Sequence, residues 1–124
     1  MNKVLITGII AGDPAFRILD DGTPNLRIKL GVQHRTKTGE RRREYYRVNA
    51  WNGTANWADK NLKKGQLITI QGYLSQRKFS INGVSGNATE ITADEFTIAH
   101  FSIEKDPLED NNPTPTANEN PVNL

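Results

Sequence analysis

The segment from Arg43 to Trp51 combines aromatic rings and cations in a pattern that suits nucleic-acid binding. In a β-strand, alternate side chains point to opposite faces of the sheet. One face of this segment would carry no aliphatic side chain. A strand that packs against a core instead has aliphatic side chains on its inward face. The residues on the face without aliphatic side chains are Arg43, Tyr45, Arg47, Asn49 and Trp51. Aromatic rings stack unpaired bases and cations bind the phosphates between them, so this face predicts contact with an unpaired nucleic-acid strand.

The rings of this segment also have a simpler explanation. Tyr and Trp are common in half-buried sheets, so the same rings could only cover a neighbouring loop at the edge of a sheet. The opposite face carries Glu44, Tyr46, Val48 and Ala50. Because Tyr46 shares that face with aliphatic residues, we expect it in the core or in a subunit interface.

A second predicted strand begins at Asn25 and also has a basic face. Apolar and polar residues alternate along it, as in a strand with one buried face. Its apolar face consists of Leu26, Ile28, Leu30 and Val32. Arg27 and Lys29 lie on the other face. The segment 35–42 is predicted to be a mobile basic loop between the two strands, and its cations include Arg35, Lys37 and Arg41.

Apolar runs and turn signals predict the remaining elements. The first strand covers 4–10 and continues over 15–19 after a bend. The two strands already described come next, followed by a short helix. A fourth strand starts at 68 and reaches a hairpin turn at Asn82-Gly83, and a last strand covers about 87–100. Gly72 lies among the inward positions of the fourth strand. A glycine there indicates a bend or a close approach of two backbones.

The predicted helix follows the aromatic strand. Asn52 or Thr54 is a suitable cap for its N-terminus. Trp57, Ala58 and Leu62 fall on one side of the helix. Aromatic residues on an apolar helix stripe are normally packed, so we expect Trp57 to plug one end of the barrel.

Composition excludes several classes of protein. The chain of 124 residues contains no cysteine, which excludes disulfides, thiolate catalysis and cysteine-ligated zinc. No apolar run approaches the ~18 residues that a membrane span needs. The residues after Met1 do not resemble a signal peptide. We therefore expect one intracellular domain with no cofactor and no membrane partner.

Charge is distributed unevenly along the chain. Residues 1–103 contain 15 Lys and Arg against 9 Asp and Glu, a net charge of +6, whereas residues 104–124 have a net charge of −4. A basic body predicts a polyanionic partner, and an acidic tail can compete with that partner. The tail has few apolar residues and is predicted to be disordered. The predicted organisation is a folded domain over 1–103 and a disordered acidic tail over 104–124.

Five strands with one short α-helix between the third and the fourth have the connectivity of an OB-fold. This all-β barrel is partly open and binds oligonucleotides across its second and third strands. Both of those strands have a basic outer face here. The predicted fold is therefore all-β, a five-stranded OB-fold barrel with one short helix and a disordered C-terminal tail.

Several short motifs follow one another in a characteristic order. They are Asn2-Lys3-Val4 with Gly8 and Gly12-Asp13-Pro14, Tyr45-Tyr46-Arg47-Val48 with Trp51, Leu62-Lys63-Lys64-Gly65, Ile70-Gln71-Gly72-Tyr73-Leu74, and Arg77-Lys78-Phe79. By their order and spacing, the chain resembles the bacterial and phage single-stranded DNA-binding protein family over nearly all of its folded part.

The resemblance implies a homotetramer, with a homodimer as the alternative, that binds and protects single-stranded DNA in replication, recombination or repair. It places stacking rings at Tyr45, Trp51 and Phe79, and it places His34 where many members have a tryptophan. His34 could instead be a polar strand end, and Phe79 could instead close the mouth of the barrel. Such a protein is expected in the cytoplasm, at the bacterial nucleoid or in a phage-infected host cell.

We expect cations to capture the DNA backbone before the bases stack on the rings. The predicted phosphate-binding residues are Arg27, Lys29, Arg35, Lys37, Arg41, Arg43, Arg47, Arg77 and Lys78. Neither step reads a base sequence. Duplex DNA keeps its bases stacked internally and cannot use the rings, so this mechanism prefers single strands.

Some other functions need features that the chain lacks, and others would use the same barrel. A metal-dependent nuclease needs converging carboxylates, whereas Asp20-Asp21 and Asp94-Glu95 do not adjoin the predicted binding strands, so we predict no catalytic or metal site. A primosomal or RNA-binding OB-fold module, or an OB-fold assembly protein, would use the same barrel. The chain ends at Leu124 without the aspartate run and Pro-Phe tip of many bacterial members, which argues against recruitment of their replication and repair partners.

Overall fold

Six strands and one helix make up residues 1–100, the part of the chain that the computed structural model describes. The elements are β1 (Val4–Ile10), β2 (Ala15–Ile18), β3 (Pro24–Arg35), β4 (Arg41–Trp51), α1 (Asn52–Asn61), β5 (Leu67–Ile81) and β6 (Val84–Ile98). The predicted disordered tail over 104–124 lies outside the described residues.

β1 and β2 are two halves of one bent strand, and both pair with β3. Ile10 lies opposite Leu30, and Ala15 lies opposite Arg27. The predicted continuation of the first strand after a bend is therefore confirmed. The sheet order is β1-β5-β6-β4-β3-β2, and the pairing of β1 with β3 closes the sheet into a barrel. With β1 and β2 counted as one strand, this is the predicted five-stranded barrel with its helix between the third and fourth strands.

The apolar face predicted for β3 fills the barrel. Leu26 and Leu30 are fully buried, and Ile28 is nearly so. They belong to one core cluster with Val48 of β4 and Ile70 of β5. Burial of each such side chain contributes ~1.5–3 kcal/mol to folding. The core thus takes up one face of β3 and β4 and leaves their other face outside it.

Gly72 lies where the backbones of β5 and β6 come closest. A β-carbon at this position would collide with the carbonyl oxygen of Thr92. The pairing of the two strands also shifts its register between Gln71 and Gly72. The predicted close approach of two backbones at Gly72 is therefore confirmed.

Two hairpins project from the barrel. The β5–β6 hairpin turns at Asn82 and Gly83, as predicted, with φ values of 52° and 78° that suit a two-residue turn with both residues left-handed. The β3–β4 hairpin has a shorter loop than predicted, because Arg35 and Arg41 pair with each other as strand residues. Only residues 36–40 form its loop. The Thr36 N–H closes this loop by donating to the Glu40 carbonyl at 2.8 Å.

α1 begins directly after β4. Trp51 is its N-cap and makes no side-chain capping bond, so the predicted caps Asn52 and Thr54 are wrong. Asn52 instead adopts a left-handed φ of 55°, which Asn tolerates better than most residues. This residue turns the chain from strand to helix without a loop. α1 is too short and too polar to cross a membrane, and residues 1–100 contain no other helix.

Trp57 does not plug the barrel, in contrast to the prediction. Its side chain is 42% exposed, and its ring stacks on Phe96 with centroids 6.3 Å apart and planes 9° apart. The buried positions are Ala55, Ala58 and Leu62, which are spaced by three and four residues. Successive helical residues are rotated by about 100°, so Trp57 lies to the side of the face that Ala58 buries.

Candidate nucleic-acid interface

The outward side chains of β3 and β4 form one surface, which we call the basic aromatic face. The strands pair without a break from Asn25 opposite Trp51 to Arg35 opposite Arg41. Because no bulge interrupts the pairing, odd-numbered residues of both strands share this face, as predicted for β4. The cations and rings of the face are Arg27, Lys29, Arg35, Arg41, Arg43, Tyr45, Arg47 and Trp51.

Tyr45 is half exposed on the basic aromatic face. Lys29 Nζ lies 4.5 Å from the centroid of its ring, within the range of a cation–π contact. The residue opposite Tyr45 is Gly31, where a β-carbon would lie 3.3 Å from the ring carbon Cε1. Gly31 therefore leaves room for the ring beside the sheet. The ring of Tyr45 is thus held beside the sheet, with the Lys29 ammonium over it.

Trp51 offers a second ring on the same face. Its side chain is 37% exposed. Six residues separate it from Tyr45, and a strand rises ~3.3 Å per residue, so the two rings are ~20 Å apart along β4. At that separation, one base cannot contact both rings. Arg47 lies between them on the same face, with most of its side chain exposed.

Phe79 lies on the β5–β6 hairpin. It is directly opposite Gly86, and a β-carbon at residue 86 would lie 2.6 Å from the ring carbon Cζ. The ring therefore covers the Gly86 backbone and remains partly exposed. Phe79 does not belong to the core cluster of the described residues, so it does not close the barrel mouth.

A buried carboxylate, Glu90 of β6, lies beside the basic aromatic face. The Arg77 Nε–H donates to its Oε1 at 2.9 Å, and Arg47 Nε lies 3.9 Å from its Oε2. The Glu90 side chain is only 3% exposed. Nothing local in the sequence marks this residue, because its two partners come from other strands. Arg77, predicted to bind phosphate, therefore also serves as the counter-charge of a buried acid.

Arg27 and Asn49 form a second polar group near Glu90, directly opposite each other on β3 and β4. Burial is the largest cause that lowers the pKa of Arg27, and the positive charges of Arg17 and Arg77 lower it further. Arg27 Nε and Asn49 Oδ1 have no hydrogen-bond partner among the described residues. Asn49 faces outward as predicted but is buried, because β6 pairs alongside it.

A cleft of about 690 Å³ opens where β4 and β6 part. The two strands pair at Val48 and Asn49, and they diverge towards Tyr46. Tyr46 faces inward by register but is 38% exposed in this cleft, so it is not a core residue. Its predicted alternative, a subunit interface, stays a prediction. Half-exposed Leu74 lines the same cleft, as does Arg47 from the basic aromatic face. The cleft thus joins that face to an apolar floor.

The carboxylates of residues 1–100 do not form a metal site. No group of three or more His, Asp or Glu side chains in this range is arranged to hold a metal ion. Asp94 and Glu95 instead line a shallow pocket with Trp57 and Phe96.

Comparisons with known proteins agree with this geometry. The profile of the single-strand binding protein family matches residues 1–99. The chain belongs to the single-strand binding protein family. A single-stranded DNA-binding protein of Caldanaerobacter subterraneus subsp. tengcongensis is 31% identical over 100 residues, which cover 77% of this chain and 65% of that protein. The Aquifex aeolicus single-stranded DNA-binding protein is 34% identical over 99 residues, covering 76% of this chain and 67% of that protein.

A family member of known structure has a similar fold. It is a deletion mutant of the single-stranded DNA binding protein from Thermus aquaticus, with a TM-score of 0.67 and 25% sequence identity. The match covers 81% of this chain and 51% of that one. The chain thus spans about two thirds of the length of the curated relatives and about half of the length of the solved one.

His34 does not join the ring surface where the family resemblance placed it. It is opposite Arg42 in the unbroken β3–β4 register, so it lies on the other face of the sheet from Tyr45. There, His34 Nδ1 lies 3.9 Å from Glu44 Oε1. The alternation that places Tyr45 and Trp51 together separates His34 from them.

The predicted cations lie in four places. Those on the basic aromatic face are Arg27, Lys29, Arg35, Arg41, Arg43 and Arg47. Arg77 reaches the edge of that face from β5, through Glu90. Lys78 lies on the opposite face of β5 from Arg77, and Lys37 lies in the β3–β4 loop.

Proposed function

We propose that this chain binds single-stranded DNA without regard to sequence and protects it in replication, recombination or repair. The proposal rests on the basic aromatic face, where exposed Tyr45 and Trp51 alternate with cations on two neighbouring strands of the barrel. Membership of the single-strand binding protein family supports it. Every base has a π-face, so stacking does not select a sequence.

Binding proceeds in two physical steps. The arginines and Lys29 of the basic aromatic face attract the phosphates and release their counterions. Tyr45, Trp51 and Phe79 then stack bases, at ~1–3 kcal/mol for each ring. Duplex DNA gains only the first step, which gives the preference for single strands. The function is binding rather than catalysis.

Competition binding tests this proposal. A fluorescent dT oligomer is bound to the full chain and displaced by unlabelled dT, by rU of equal length or by a duplex, all at one salt concentration. We expect dT to compete best and the duplex worst. Stronger competition by rU would favour an RNA-binding module, and no binding of any of them would favour an assembly protein.

We also propose that the chain forms a homotetramer, with a homodimer as the alternative. Leu5 of β1 is 72% exposed, and Tyr73 on the outer face of β5 is partly exposed, so these neighbouring strands offer apolar surface to another copy. Sedimentation equilibrium distinguishes the two assemblies. We expect the protein to act in the cytoplasm, at a bacterial nucleoid or in a phage-infected cell, where single-stranded DNA is exposed.

A further inference from the structure

We propose that Glu90 is a positioning residue, which holds Arg77 by its Nε–H and keeps Arg47 close by charge, so that both guanidiniums bind one backbone phosphate. The inference rests on the proposed single-stranded DNA binding. Single-stranded DNA binding does not by itself explain why a buried carboxylate lies among these arginines. A carboxylate beside a phosphate-binding surface repels the ligand, so its place at the centre of the arginines requires a compensating role.

The two contacts of Glu90 differ in kind. The Arg77 Nε–H donates a hydrogen bond to Oε1 at 2.9 Å. Arg47 Nε lies 3.9 Å from Oε2, which is an ion pair, and Oε2 has no hydrogen-bond partner among residues 1–100. A guanidinium is a planar fork with five N–H donors, so a contact through Nε orients its plane and leaves the two terminal nitrogens for another acceptor. Phosphate oxygens accept from such a pair of nitrogens in a bidentate manner. The carboxylate thus orients the Arg77 fork by a hydrogen bond, and it keeps the Arg47 fork nearby by charge.

Burial differs between the acid and its partners in a way that suits this role. The Glu90 side chain is 3% exposed, whereas those of Arg77 and Arg47 are 35% and 56% exposed. The anchor is therefore fixed by packing, and the arginines reach the surface. An exposed arginine without an anchor would lose more rotamer freedom when it binds a phosphate.

The local charge also favours an anionic ligand. Arg27, Arg47 and Glu90 line the same cleft, and Arg77 contacts Glu90. Three arginines thus share one carboxylate. Burial lowers the pKa of Arg27, and the charges of Arg17 and Arg77 lower it further, while its Nε has no partner among residues 1–100. A phosphate in this place would offset the excess positive charge.

Two substitutions of Glu90 separate positioning from charge. Both Glu90→Ala and Glu90→Gln remove the negative charge, but only Gln keeps an oxygen that accepts from Arg77 Nε. We expect Glu90→Ala to weaken binding of a dT oligomer about tenfold, as for the loss of a hydrogen bond to a charged group. We expect Glu90→Gln to bind about twofold more tightly than wild type, because one repulsive charge is gone.

Glu95→Ala is the matched control, because it removes an exposed carboxylate from the same strand. Its affinity should stay close to that of wild type. Circular dichroism melts check that each variant is folded at the assay temperature. Equal tightening by Glu90→Ala and Glu90→Gln would overturn the positioning role while leaving the proposed function intact. Failure of wild type to bind the oligomer at all would instead overturn the proposed function.

Arg77→Lys tests the same inference if Glu90→Ala does not fold. Lysine keeps the charge but lacks the planar fork, so we expect roughly fivefold weaker binding. In the Glu90→Gln background, the side-chain oxygen at position 90 still accepts from Arg77. Arg77→Lys should therefore weaken DNA binding by the same factor in that background. Wild-type affinity of Arg77→Lys would show that only charge matters at this position and would overturn the proposal.

Discussion

The ring of Phe79 covers the backbone of Gly86, the residue directly opposite it on β6. Tyr45 has the same relation to Gly31 across β3 and β4. In both pairs, the glycine leaves space in which an aromatic ring can lie against the sheet. A ring that is held in this way has less freedom to lose when a base stacks on it, which favours binding.

Gly86→Ala is expected to weaken single-stranded DNA binding through Phe79. The new β-carbon would lie 2.6 Å from Cζ, so the ring must leave its place. We expect a loss of about 1 kcal/mol of binding free energy, because one stacking ring contributes ~1–3 kcal/mol and the displaced ring keeps a part of it. Fluorescence anisotropy with a dT oligomer measures it. In a Phe79→Ala background, the same change should have almost no effect, and an equal loss in both backgrounds would show that the ring is not involved.

Trp51→Ala should lower the affinity for a dT oligomer by ~1–3 kcal/mol per site, as the loss of one stacking ring. Its effect on stability should be small, because the ring faces outward on β4. In a Trp57→Phe variant, where Trp51 is the one tryptophan left, poly(dT) should quench the fluorescence. An unchanged signal there would remove Trp51 from the binding site.

Trp57→Ala should affect stability rather than binding. A fully buried ring would cost about 3–5 kcal/mol, but the observed ring is 42% exposed and packs mainly on Phe96, so we expect about 1–2 kcal/mol. Urea unfolding measures the loss, and the affinity of the folded variant for dT should match wild type. A loss of affinity in the folded state would contradict the assignment of Trp57 to the fold alone.

Salt dependence reports the contacts with phosphates. The logarithm of the binding constant should fall linearly with the logarithm of salt concentration, with a slope near −0.7 for each phosphate neutralised. Arg47→Gln should reduce this slope by about 0.7. Lys60→Gln, on the exposed side of α1, removes the same charge outside the basic aromatic face and should leave the slope unchanged. Equal slopes for all three proteins would exclude phosphate contact by Arg47.

Deletion of residues 104–124 should strengthen DNA binding modestly at low salt. The net charge of −4 on these residues and the net charge of +6 on residues 1–103 attract each other, and salt screens this attraction within ~10 Å at 0.1 M. The gain should therefore disappear as salt is raised. Weaker binding after deletion would mean that these residues take part in the site.

Patterns with a short range along the chain were enough to predict which residues share the basic aromatic face. Alternation along a strand has a period of two because of backbone geometry, so Tyr45, Arg47 and Trp51 could be assigned to one face without the fold. The turn at Asn82-Gly83 is equally local, because both of its residues need a left-handed backbone. The order of strands and helix predicted the barrel, and the resemblance to the family added the predicted stacking role of Phe79.

Packing between distant segments decided what the local patterns could not. Asn49 and Glu90 both face outward, yet both are buried, because β4 and β6 meet there. Tyr46 faces inward and is exposed, because the same two strands have already parted at its position. Exposure depends on which strand lies alongside a residue. That neighbour comes from another part of the chain, so only the tertiary structure determines how Glu90 meets its arginines.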